Sequence, residues 1–191
     1  MPVTGNITLG KMAAASDYVR PYEPYRAVDG SFDKCSRWLC ASQGACRLSV
    51  DLRGYYKVTS WSITSIGYAK WDNSCNLNSF KIQGNTGFVS NPQWFDIDSV
   101  SNNTNNTVGN TFQTPVAVNA LRVYVTAGDS RAISKIASIM DFTANGYPVS
   151  YNANLSQGKS KRKQSGRRDS NSNLHDRSDS SCDPACTKCK C

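Results

Sequence analysis

Leu48-Ser-Val-Asp-Leu52 alternates apolar and polar side chains without a break. The same period of two returns at Phe80-Lys-Ile-Gln-Gly84 and at Leu121-Arg-Val-Tyr-Val125. In a strand, successive side chains point to opposite faces, so Leu48, Val50, Leu52, Phe80, Ile82, Leu121, Val123 and Val125 belong on a core. No helical period of comparable length is present. Short alternating segments separated by Gly, Asn, Pro and Ser clusters predict an all-β fold, an antiparallel β-sandwich. Roughly 145 residues are enough to bury one core of that kind.

Around these segments lie Ala27-Val-Asp-Gly30, Arg37-Trp38, Lys57-Val-Thr-Ser-Trp-Ser-Ile63, Trp94-Phe-Asp-Ile97 and Ile139-Met-Asp-Phe142. In this order and spacing the chain resembles the discoidin family, the type C domains of coagulation factors V and VIII, and the related galactose-binding-like carbohydrate-binding modules. The resemblance runs from about Asn6 to Pro148. It implies a jelly-roll sandwich that binds a ligand and is not an enzyme. The residues agree, because the only His, His175, lies far down the chain and no Ser or Cys sits in a context that supplies a paired base.

Composition changes near Ser150. Residues 1–151 carry 13 Lys and Arg against 10 Asp and Glu, whereas residues 152–191 carry 9 against 4. The later segment includes Lys159-Ser-Lys-Arg-Lys-Gln-Ser-Gly-Arg-Arg168 and has almost no apolar side chain to offset the entropy of ordering it. The expected organisation is a sandwich over residues 1–150, a disordered basic linker over 151–181 and a Cys-rich end over 182–191. The basic run reads as a solvated linker, a site for polyanions such as heparin, or a nuclear import signal. No aromatic residue is interleaved with its charges, so specific nucleic-acid recognition is not expected.

Met1-Pro-Val-Thr-Gly has neither the basic start nor the apolar run of a secretory signal, and no transmembrane stretch follows. Eight cysteines in clusters nevertheless suit an oxidising compartment, so the expected setting is extracellular, with the chain read as a mature or excised fragment. Four sequons, at Asn6, Asn102, Asn105 and Asn154, add little to this, since about three arise by chance in a chain so rich in Asn and Ser.

Recognition in sandwiches falls to the loops between strands. The first, Ser16-Asp-Tyr-Val-Arg-Pro-Tyr-Glu-Pro-Tyr-Arg26, offers Tyr22 and Tyr25, whose flat faces suit the apolar side of a sugar ring unless they cap the core. The second, Tyr68-Ala-Lys-Trp-Asp-Asn-Ser-Cys-Asn-Leu-Asn78, sets Trp71 among polar neighbours that include Asn73. Trp71 stacks on a sugar, inserts into a membrane interface or covers the sandwich edge, whereas Trp38 and Trp61 read as packing residues. In the third, Ala127-Gly-Asp-Ser-Arg-Ala132, Arg131 is either a multiple donor to hydroxyls or anions or a solvated charge. These residues point to a lectin-like module for glycans or glycoproteins in adhesion or recognition, with a phospholipid- or protein-binding module as the rival. The absence of a loop His departs from the His and paired Arg of fucose-binding relatives. Exposed aliphatic spikes, which mark lipid-binding relatives, are not evident either.

The resemblance also implies a structural calcium beside the Ala27–Gly30 turn. Asp29 matches the ligand Asp of relatives, and Ser31, Asp33 and Ser36 supply further oxygens of the kind calcium prefers. Ile139 falls where relatives carry a Glu near the last strand, and Asp141 takes that role only with a shift in register.

Cys35, Cys40, Cys46 and Cys75 admit three connectivities. The expected pairing is Cys40 with Cys46 and Cys35 with Cys75, which would stiffen two recognition loops together. Cys182-Asp-Pro-Ala-Cys-Thr-Lys-Cys-Lys-Cys191 reads as a soft-metal site or as the opening of a disulfide-rich module cut short.

Overall fold

The computed structural model describes residues 3–42, 45–69, 76–87, 91–127 and 136–149. The expected linker and Cys-rich end lie outside these residues, as do Trp71, Asn73, Cys75 and Arg131. The described residues form eight strands: β1 (Gly5–Asn6), β2 (Met12–Ala15), β3 (Trp38–Cys40), β4 (Arg47–Ser65), β5 (Ser79–Asn85), β6 (Trp94–Val100), β7 (Thr107–Ala127) and β8 (Ala137–Pro148). Short 3-10 turns occupy Pro24–Val28 and Ile66–Ala69. None of the described helical turns is long and apolar enough to cross a membrane.

All pairings are antiparallel, as the alternation predicts. Two long strands, β4 and β7, serve both layers of the sandwich. Their segments 47–51 and 120–124 pair with each other and are flanked by β2 on one side and by β5 and β6 on the other. Their segments 56–65 and 107–118 pair again, and there β8 flanks β4 and carries β1 and β3 beyond it. The turn from one layer to the other falls where the β4–β7 register breaks between Asp51 and Tyr56, with Arg53 at φ 56°.

The inward residues of both layers meet in one core. Leu48, Val50, Leu52, Phe80, Ile82, Leu121, Val123 and Val125 are all buried in it, which bears out the alternation, and Trp38 and Trp61 are buried with them. Trp61 meets Phe80 edge-on with ring centroids 5.9 Å apart, a favourable aromatic geometry that ties one layer to the other. The Trp61 indole N–H donates to the Asp98 carboxylate at 2.9 Å, so its polar end is satisfied despite burial. A disulfide joins Cys40 to Cys46, as expected, and links β3 to the start of β4.

Candidate functional site

The first recognition loop is fastened along β3 before it reaches solvent. Val19 N–H donates to the Leu39 carbonyl at 2.9 Å, Leu39 N–H to the Tyr22 carbonyl at 3.3 Å, and the Trp38 indole to the Asp17 carbonyl at 3.1 Å. This pinning turns Tyr22 inward. Its ring is only 1% exposed, and the buried Arg37 guanidinium lies over it at 4.1 Å. Tyr22 therefore belongs to the packed interior and offers no face to a ligand, which corrects its reading as a contact residue. The physical reason is that a cation stacked on a buried ring is itself desolvated, so the pair is held by packing and not by an incoming group.

Tyr25 behaves differently. It sits in the Pro24–Val28 turn, whose Ala27 and Val28 are buried and whose start is marked by a Pro, and it remains 52% exposed. Arg26 lies 5.5 Å from the Tyr25 ring, pairs with Glu23 at 3.1 Å and reaches the Cys35 carbonyl at 3.5 Å. Burial lowers the pKa of Arg26, but the hydrogen bond to Glu23 together with the electrostatic pull of Tyr25, Glu23 and Asp29 outweighs it and leaves the net shift upward. Arg26 thus holds a positive group beside Tyr25 and ties Glu23 to the Cys35 carbonyl.

Two further rings come forward that sequence reasoning did not single out. Phe32 is 52% exposed and Tyr68 is 54% exposed, and their centroids lie 5.6 Å apart in a tilted contact. Phe32 stands in the polar run Gly30-Ser-Phe-Asp33, the same signal that marks Trp71. Tyr68 opens the second loop, so this contact joins the Gly30–Asp33 segment to the start of that loop. Leu9 is also exposed, and its Cδ1 lies against Gly30, two residues before Phe32. Trp71, Asn73 and Arg131 lie outside the described residues.

The proposed calcium ligands divide. Asp29 accepts from Ser31 N–H at 2.8 Å and from the Ser36 hydroxyl, which brings Asp29 and Ser36 together. Asp33 is exposed and caps its own turn by accepting from Cys35 N–H at 2.7 Å. Among the described residues no group of three or more His, Cys, Asp or Glu is arranged to hold a metal, so Asp33 does not complete an acidic trio with Asp29. The carboxylate that feels Asp29 is Asp141 on β8. It is 5% exposed, accepts from the Thr143 hydroxyl at 2.6 Å, and has no Lys or Arg partner among the described residues. Burial raises its pKa, the Thr143 bond opposes that, and the charge of Asp29 raises it further. The β4–β8 ladder shifts register between Thr64–Asp141 and Ser65–Ile139, next to this position. Ile139 packs in the core. Asp141 is thus a buried carboxylate without a cationic partner among the described residues, raised in pKa first by burial and further by the charge of Asp29.

None of the curated proteins matches the chain. Among solved structures, the family 32 carbohydrate-binding module of C. perfringens NanJ, in complex with galactose, superposes with a TM-score of 0.60 at 19% identity, covering 75% of this chain and 99% of that one. Chitosan-binding module 1 from a chitosanase/glucanase of Paenibacillus sp. IK-5 gives 0.60 at 21% identity, covering 73% and 98%. A fucose-binding module of Streptococcus pneumoniae gives 0.57 at 18% identity, covering 76% and 96%. At such identities the likeness is one of fold. The model of the F5/8 type C domain matches residues 11–141, and the chain belongs to that family.

Proposed function

We propose that the domain is a carbohydrate-binding module, without catalysis of its own, that recognises glycans on extracellular surfaces in adhesion or recognition. The observation that carries this is a set of half-exposed rings on the inter-strand segments, the Phe32–Tyr68 pair and, beside Arg26, Tyr25. A sugar has one or more apolar C–H faces and a rim of hydroxyls, so flat rings, one of them beside Arg26, suit it. The likeness of the fold to modules solved with galactose and chitotriose supports the same choice. Trp71, Asn73 and Arg131 are assigned to this end from the sequence pattern. Replacing the three described rings together, Tyr25→Ala, Phe32→Ala and Tyr68→Ala, should weaken binding of the saccharide found on a glycan array at least tenfold, a loss of about 1.4 kcal/mol. The melting temperature should hardly move, because these rings are half in water already. Full binding by the triple variant would remove this loop end from the account.

Leu9 and Phe32 favour a second reading. An exposed aliphatic and an exposed aromatic side chain in adjoining turns are also what a phospholipid-binding or protein-binding module presents.

Calcium belongs to the same proposal. Asp29, Ser36 and Asp141 would hold it, with backbone carbonyls completing the oxygen set. The ion would neutralise both carboxylates and fasten the Asp29–Ser36 turn to β8.

A further inference from the structure

The outward face of the β2–β4–β7–β5–β6 layer carries a feature that the loop end does not explain. The registers set Met12, Asp51, Ala120, Asn85 and Trp94 directly opposite one another across these strands. The neighbouring row brings Ala14, Ser49 and Arg122 into line. In the first row Met12 and Trp94 stand on the edge strands with smaller side chains between them, and the sheet is hollowed there into a trough of about 430 Å³, within the range of small-ligand sites. The Tyr55 ring closes one end, held by its hydroxyl donating to the Thr86 carbonyl at 2.9 Å.

Polar groups stand along the rim, already oriented. Arg122 lies 4.2 Å over the Trp94 ring, and its Nε donates to Gln83 at 2.8 Å. Gln83 in turn donates to Asp96 at 2.7 Å, and Asp96 pairs with Lys81 at 2.7 Å. This chain fixes the Arg122 guanidinium while leaving its terminal nitrogens without an acceptor among the described residues. On the adjoining β4, one oxygen of Asp51 accepts from Arg53 N–H at 2.9 Å, and among the described residues the other oxygen and the Ser49 hydroxyl have no hydrogen-bond partner. A fixed guanidinium, a carboxylate and a hydroxyl around an apolar floor match vicinal hydroxyls above a C–H face. An acyl chain would leave all three polar groups without partners, at a cost for each one desolvated.

We infer that this trough is a second saccharide-binding site, in which Trp94 and Met12 take the apolar face of a ring and Arg122, Asp51 and Ser49 take its hydroxyls. The choice of ligand rests on the carbohydrate-binding reading above, and the site is separate from the loop end. Amide shifts of the full chain, titrated with chitotriose and with galactose, test it by position. At least one of the two should shift Ser49, Asp51, Ala120 and the Trp94 indole, and Ala120→Arg, which fills the floor, should weaken those shifts at least tenfold while any at Phe32 and Tyr68 persist. Trp94→Ala should act likewise, and the dispersion of each spectrum reports whether the variant is folded. Shifts at the trough with none at the loops would support the second site and overturn the loop reading. Shifts confined to the loops would overturn the second site alone, as would trough shifts that survive both variants or the absence of any shift at the trough.

Discussion

Gly30 follows Asp29 at φ 74°, and a Cβ built there would stand 2.8 Å from Leu9 Cδ1. The backbone is what disfavours a side chain: the left-handed conformation costs an L-residue about 1–2 kcal/mol, whereas Leu9 is half-exposed and its tip can turn aside. Gly30→Ala should therefore lower stability by at least about 1 kcal/mol in urea unfolding, and an unchanged midpoint would show that the turn relaxes freely. The same residue scale shows where sequence stops deciding. Tyr22 and Tyr25 are three residues apart in one Tyr- and Pro-rich loop, yet one is buried under Arg37 and the other is open. Composition marks such a loop as a place for recognition but cannot say which ring faces in, because that depends on hydrogen bonds to β3 from the far side of a turn. Phe32 and Tyr68 were hidden for a related reason, since their contact joins residues 36 positions apart.

At the scale of elements, alternation gave the strands of the first layer almost residue by residue. It lost phase in β4 because a register shift between Val58 and Ser60 moves the inward side from Val58 to Trp61 and Ile63. Bulges of this kind leave no period to read. Sequence left three connectivities open for Cys35, Cys40, Cys46 and Cys75; the favoured Cys40–Cys46 bond is present, and its contribution follows from its sequence separation of 6. Loop-closure entropy for so short a span is worth about 2 kcal/mol, so Cys40→Ala with Cys46→Ala should lower unfolding stability by about that amount while the strands remain. A loss near zero would show that the β3–β8 ladder alone holds this edge. The Asp29 turn and β8 make the second test at this scale. Calcium bound only by the folded state should raise the melting temperature, and Asp29→Ala or Asp141→Asn should abolish the rise. A melting curve that chelator and added calcium leave unmoved would remove the ion from the account.

At the scale of the molecule, the loop end and the outward sheet face are the two surfaces proposed to take saccharides. Family and fold were legible from the order of short segments between Asn6 and Pro148, because strand period and turn residues act locally. The trough was not legible, because it is made by register between strands far apart in the chain, which no local pattern records. The central claim is that the loop end recognises saccharides, and it is tested most directly by presenting the full chain to an array of immobilised glycans and, in parallel, to phosphatidylserine-containing vesicles. The account predicts binding to a discrete set of saccharides and no sedimentation with the vesicles. Sedimentation with vesicles and no saccharide bound would contradict it.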